Sequence, residues 1–392
     1  MVVVIGAQVY QIARQVHAMS PAEAAFLLGL LGLAQFIPFL LLTPLAGLVA
    51  DRMDRRHIAA FSASIDLGVV VTLALANARG FLSLELLFAM AAAHGAARVF
   101  AGPAVGAIVP NVVPAALLPK AIAFSSIAWQ SAAVLGPTAA GLLLARDAAL
   151  PYWFGSALLV VGIVAVLVIK PIPLPVIEDD PPLKQMADGA RFVWHERFLL
   201  GCVTLDLFAV LLGGATAMLP AFAYDVLHVG DEGLGLLRAA PALGAVFVAL
   251  FLSFFPLRRN VGAKMLWSVV VFGLATLVFG LSTSFLLSLA MLTLLGAADG
   301  ISVFIRNTLV QLNTPDEMRG RVSSISGLAI SASNELGEMQ SGLVAAFIGP
   351  VAAVALGGVG AIVVTAIWAG LFPELKNAKT FAPQYRQKEP AT

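Results

Sequence analysis

Gly47-Leu48-Val49-Ala50-Asp51-Arg52-Met53-Asp54-Arg55-Arg56 is the stretch on which the reading of this chain turns. Its charged end separates two apolar runs, 24–50 and 57–76. A bilayer core about 30 Å thick needs about 20 mostly apolar residues per helix, so both runs read as membrane spans and the charges between them as a tight loop on one face. Gly47 lets a neighbouring helix approach closely. Asp51, at the membrane edge, can accept from the exposed N–H groups of a facing helix start, where the helix dipole favours an anion.

The rest of the chain agrees. It has 392 residues, 60% hydrophobic and 11% charged, with a mean hydropathy of +0.95. A soluble domain carries roughly 25% charged residues, so an ordinary cytosolic enzyme, a disordered tail and a disulfide scaffold are excluded. A net charge of +1 offers no field for a nucleic acid, and the lone Cys202 allows no intramolecular disulfide. The expected class is an all-α polytopic membrane protein, with the lipid bilayer as its first partner. Further spans are read at 81–105, 118–144, 152–169, 199–224, 234–256, 265–282, 286–308, 322–348 and 351–372. A twelfth helix begins the chain, but 1–13 covers only about 20 Å; it is expected to be the outer half of a truncated first helix.

Most of the 23 Lys and Arg residues fall on one side, in loops holding Arg52, Arg55, Arg56, Arg258, Arg259, Arg306, Arg319 and Arg321 and in the tail. Arg14, Arg79 and Arg146 fall on the other, and Arg98 and Arg238 inside spans. The positive side is cytoplasmic, which puts the C-terminus there too and predicts a bacterial inner-membrane location. The one long loop, 171–198, opens with Pro171, Pro173 and Pro175 as an extended linker. Met186, Ala190, Val193 and Trp194 then recur at helical spacing, as for a helix along the cytoplasmic interface. Four regions follow: a six-helix bundle at 1–170, the linker at 171–198, a second six-helix bundle at 199–373 and a cytoplasmic tail at 374–392.

The two bundles are repeats. Displaced by 201 residues, Gly95-Ala96-Ala97-Arg98 falls on Gly296-Ala297-Ala298-Asp299, Pro114 on Pro315, Leu135-Gly136 on Leu336-Gly337 and Gly141-Leu142 on Gly342-Leu343. Displaced by 203, Pro38 falls on Pro241 and Arg55-Arg56 on Arg258-Arg259. Two six-helix halves in parallel orientation around a cytoplasmic linker are the plan of the major facilitator transporters.

The opening stretch resembles the signature loop of that superfamily, G-x-x-x-D-R-x-G-R-R/K, with Asp54 in place of its second glycine. The resemblance implies that Gly47, Asp51, Arg52, Arg55 and Arg56 form a cytoplasmic gate against the start of helix 11 near 322–324. Gly136-Pro137-Thr138-Ala139-Ala140-Gly141 resembles an exporter-associated motif, its glycines suited to tight packing and Pro137 to a bend. Thr314-Pro315-Asp316-Glu317-Met318-Arg319-Gly320-Arg321, Ala332-Ser333-Asn334-Glu335-Leu336-Gly337-Glu338 and 233–241 are similar to the enterobactin-exporter-like branch. That branch implies proton-linked export of siderophores or amphipathic drugs.

Charges inside the membrane are the candidate machinery, since each is costly there. Proton coupling needs a carboxylate that charges and neutralises as access alternates. Asp206 and Asp299, in apolar runs with no adjacent base in sequence, rank first; Glu335 and Glu338, three residues apart, would repel when both charged. His94 and Arg98 share a helix face, as do Asp299 and Arg306, and Asp66 lies midway along its span. Gln8, Tyr10, Gln35, Arg98, Trp129, Gln130 and Arg238 are expected to line a cavity for a small-molecule substrate, with Gln11 and Phe208 as further candidates. No P-loop, metal-ligand spacing or nucleophile elbow is visible. The expectation is therefore not an enzyme but a monomeric proton antiporter, without cofactors and driven by the proton gradient. An importer of a small metabolite and a non-transporting remnant stay open as alternatives.

Overall fold

A computed structural model describes residues 1–114, 117–171 and 182–382. The expected linker segment 172–181 and the end of the tail, 383–392, lie outside the described residues. Among the described residues every regular element is helical. The long helices are α2 (Pro21–Arg52), α3 (Arg55–Arg79), α4 (Leu84–Val112), α5 (Leu118–Leu144), α6 (Leu150–Val168), α8 (Arg197–Leu212), α10 (Gly230–Phe254), α11 (Val261–Leu281), α12 (Phe285–Asn313), α13 (Arg319–Ile348) and α14 (Pro350–Leu371). Shorter ones are α1 (Val2–Gln11), α7 (Pro182–His195), α9 (Leu219–Ala221) and α15 (Pro373–Lys376). Ten segments of the described chain are long and apolar enough to cross a membrane. The span read at 199–224 is α8, a break at Gly213 and Gly214, a short 3₁₀ turn, α9 and a π turn, Phe222–Val226.

Local sequence explains the helix ends. Ser20 and Glu23 form a reciprocal capping box before Pro21, which needs no N–H donor at the first position. Ser83 caps α4, and Gly80 ends α3 at φ +71, a conformation only glycine adopts freely. Asp54, the departure from the family pattern, is the N-cap of α3: its carboxylate accepts from the Arg56 N–H at 3.0 Å and pairs with the Arg56 guanidinium at 2.6 Å. Arg56 also donates to the Ile169 carbonyl at the end of α6. The guanidinium holds the Asp54 carboxyl below the usual aspartate range.

The described chain forms two compact units. The first is Met1–Pro182 with Leu219–Ala239, and the second is Leu183–Met218 with Ala240–Thr392. In the first, α4 packs on α2 and α3, and α3 on α6. In the second, α11 packs on α12 and α14, and α8 on α13 and α14, around Leu199, Cys202, Leu205, Val261, Met265, Ile305 and Leu309. The expected interfacial helix is α7. Its Val193 joins that core, Gly189 abuts the Arg321 backbone, and Asp188 pairs with Arg321 at 3.6 Å.

The repeat is visible in the packing. Gly95 and Gly296, aligned by sequence, occupy equivalent crossings in their own units. Gly95 lies against the Gln35 backbone of α2, and Gly296 against the Pro241 backbone of α10. A methyl group at either position would collide with a carbonyl. Overpacking costs about 1–3 kcal/mol, so Gly95→Val and Gly296→Val should each lower the melting temperature of the detergent-purified protein. Gly162→Ala, which faces open space, should leave it unchanged. Asp54→Ala should cost about 1 kcal/mol through the lost cap. The charge-dependent share of that difference should be present near neutral pH and vanish as the medium is acidified through the Asp54 pKa, as thermal melts over a pH series would record.

Candidate functional site

The second unit holds a charge cluster, with Asp206 and Arg306 buried and Asp299 half-buried. On α12, Asp299, Ser302 and Arg306 follow one another at helical spacing and share a face. Asp206 projects from α8, and its carboxylate forms an ion pair with the Arg306 guanidinium. Arg306 is 4% exposed and Asp206 7%. This corrects one reading. Arg306 is not a loop cation, because α12 continues two turns beyond it to Asn313, with Leu309 and Val310 packed into the core. Asp206, without an adjacent base in sequence, gains one from another helix. Asp299, Asp206 and Ser302 line a cavity with Ala209, Val210, Val269 and Phe272, with room for about one water molecule. Glu335 is buried and Glu338 half-buried on α13, on either side of Gly337, whose backbone adjoins the Val210 carbonyl. Neither lines that cavity.

The first unit holds a different network, part of which sequence reasoning missed. Tyr10 donates from its hydroxyl to Asp225 at 2.6 Å, and Arg14 pairs with the same carboxylate at 3.1 Å. Gln11 donates to Asp231 at 3.1 Å, as does Tyr224 at 2.5 Å, and the Tyr10 and Tyr224 rings stack with centroids 6.1 Å apart. Gly141 of α5 and Gly235 of α10 cross backbone to backbone, a Cβ at 141 lying 2.6 Å from the Asp231 carbonyl. Segment Leu219–Ala239 is thereby fastened to α1 and α5. The available signal was two acids in a loop on the face poor in cations, opposite Arg14; their partners Tyr10, Gln11 and Arg14 lie more than 200 residues away.

The remaining candidates sort by burial. Gln8 is buried, donating to Asn77 at 2.8 Å and accepting from Tyr152 at 2.7 Å. Tyr10 is fully buried, and Gln35 is buried with its amide donating to Leu31 at 3.3 Å. In this conformation these three are satisfied interior groups and not an open cavity wall, since a buried amide or phenol must be hydrogen-bonded. Trp129 is 77% exposed, and Gln130 beside it is half-buried. Arg98 is exposed, with its guanidinium 5.9 Å from the centre of the Phe39 ring, and Arg238 is half-buried. Phe208 stands 5.2 Å from Trp368, and His94 Nδ1 lies 2.8 Å from Asp66.

Of the gating candidates, Arg52 is exposed, Arg55 half-buried and Arg56 buried. The surroundings of Gly47 and of the Asp51 side chain, at the end of α2, lie outside the described set. Gly136 faces open space, so it makes no tight crossing; Gly141 does, and the Pro137 carbonyl meets Gly235.

The sequence model of the Major Facilitator Superfamily matches residues 2–338. Similar curated proteins include the enterobactin exporter EntS of Citrobacter koseri, 28% identical over 278 residues, and EntS of Escherichia coli K12, 26% identical over 279 residues. Each alignment covers 71% of this chain and 67% of the relative. Among solved structures, the inward-open xylose transporter XylE from E. coli superposes with a TM-score of 0.71 at 14% identity, over 97% of this chain and 94% of that one. A bacterial homologue of the lysosomal transporter Spinster gives 0.70 at 17% identity, over 99% and 96%. These two show the fold. The chain belongs to the major facilitator superfamily and is a membrane transporter rather than an enzyme.

Proposed function

We propose that this transporter exports a small amphipathic, siderophore-like molecule across a bacterial inner membrane in exchange for protons, with its C-terminus in the cytoplasm. The buried pair Asp206 and Arg306, with the half-buried Asp299 beside it in one cavity, carries the reading. Arg306 already has Asp206 as its partner, whereas Asp299, the second carboxylate in the cavity, has no ion-pair partner among the described residues and is the natural place for a proton. Asp299 is therefore the proposed proton carrier, and Asp206 the counter-ion that keeps Arg306 tolerable in the bilayer. The relatives named enterobactin exporter favour export, with a siderophore-like molecule as cargo. Glu335 and Glu338 are retained as secondary proton-coupling candidates.

The charged turn after α2, with Gly47, Asp51, Arg52, Arg55 and Arg56, is proposed as the cytoplasmic gate. The network of Tyr10, Gln11 and Arg14 with Asp225 and Asp231 is proposed as its counterpart on the outer face, where the cation-poor loops belong. Alternating access requires these bonds to break in every cycle.

In everted vesicles with enterobactin as the probe, Asp299→Asn should reduce proton-driven transport by about tenfold or more, since it removes the titrating group. Wild-type rates in that variant would remove Asp299 from coupling. Arg306→Ala leaves a buried carboxylate unpaired and should destabilise the protein by about 3–5 kcal/mol, while Asp206→Asn with Arg306→Gln should recover most of that loss in a thermal melt. On the outer face, Asp225→Asn removes the Arg14 partner. It should raise labelling of an introduced Gln8→Cys thiol by an impermeant outer-face reagent, and unchanged labelling would argue against a gate there.

A further inference from the structure

Helix α12 is 29 residues long, so Asp299 lies about 20 Å from either end of it. A proton held there needs a way to the cytoplasm. Arg306 and Asp206 stand about 10 Å nearer Asn313, two turns along the same face. On the far side of that pair is a second cavity, lined by Val203, Arg306, Asn307, Val310, Ser326 and Ile330. It too has room for about one water molecule. Asn307 is the exposed residue of that lining. The Ser326 hydroxyl oxygen is buried there and has no hydrogen-bond partner among the described residues. A buried hydroxyl seeks a partner, and a polar cavity of this size suits one bound water.

Resting on the proposed coupling role of Asp299, we infer that the proton's route to the cytoplasm runs inside the second unit. It passes from Asp299 through the upper cavity to Asp206, then through a water site at Ser326 and out past Asn307, with Arg306 as a positioning residue between the two carboxylates. The steps balance. The Asp299 O–H bond breaks as water in the upper cavity takes the proton and passes one of its own to Asp206. Neutral Asp206 releases Arg306, whose guanidinium turns to the newly formed Asp299 carboxylate, so the buried net charge does not change. The Asp206 O–H bond then breaks toward the water at Ser326, and the proton leaves at Asn307. Facing these acids, α11 contributes only Val269 and Phe272 to the upper cavity, and α13 contributes Ser326 and Ile330 to the lower one. Cys202 lies one turn from Asp206 on α8, and Trp368 of α14 is occupied as a donor to Thr204. Glu335 and Glu338 sit further along α13, beside Gly337.

The test uses the full chain reconstituted in vesicles loaded with enterobactin and the pH dye pyranine. Ser326→Val should slow cargo-dependent proton entry by roughly tenfold, as expected for a broken relay. Ser326→Cys should react with a small methanethiosulfonate applied from the cytoplasmic face. The background is low because Cys202, the one native cysteine, is buried. Wild-type proton entry in Ser326→Val, or an unreactive Ser326→Cys, overturns the route provided Asp299→Asn still abolishes proton entry. If Asp299→Asn also conducts protons at the wild-type rate, the coupling role itself fails, and the route with it.

Discussion

The pairing of Asp206 with Arg306 is the constraint around which the second unit is arranged. A bare charge in hydrocarbon is costly, and removing either partner would strand the other. The pair demands that α8 and α12 stay in register across the bundle, and the apolar groups beside it, Cys202, Leu205, Ile305 and Leu309, lock that register. Once Arg306 is committed to Asp206, Asp299 becomes chemically different from its neighbour. Two identical side chains in one cavity thereby acquire different surroundings, one held by the cation and one without such a partner.

Close helix crossings supply the rigidity that makes this possible. Gly244 adjoins the Thr293 carbonyl, Gly296 the Pro241 carbonyl, and Gly214 and Gly337 bring α13 against the broken end of α8. With little driving force from lipid for helices to associate, such contacts and polar bonds hold bundles together. The first unit uses the same device at Gly95 and at the Gly141–Gly235 crossing.

Much of this was legible in the sequence because hydrophobic run length is a direct physical measure of a bilayer. Ten spans and the amphipathic α7 follow from length and periodicity, while the span expected at 322–348, in the more polar α13, is not among those ten. Arg306 was misplaced for the same reason: reading cations as loop markers fails when a helix carries one inward to meet an acid. Asp54 could be seen as a departure from the family pattern, but its use as a cap for α3 depends on backbone geometry that sequence does not record. The links from Tyr10 and Arg14 to Asp225 and from Gln11 to Asp231 join residues over 200 positions apart. No local pattern encodes a bond of that reach. Gln8 and Tyr10 read as cavity groups because amides and phenols in a span are rare, yet the structure satisfies them internally.

The membership of Leu219–Ala239 in the first unit bears on how the chain is made. Tyr10 and Gln11 are inserted early, but the carboxylates that receive their hydrogen bonds, Asp225 and Asp231, are translated more than two hundred residues later. The amino-terminal helices must wait in the bilayer, incompletely bonded, until the seventh and eighth spans arrive. Severing the polypeptide at the central linker and expressing the pieces apart would consequently yield an amino-terminal fragment without the acids that receive those bonds.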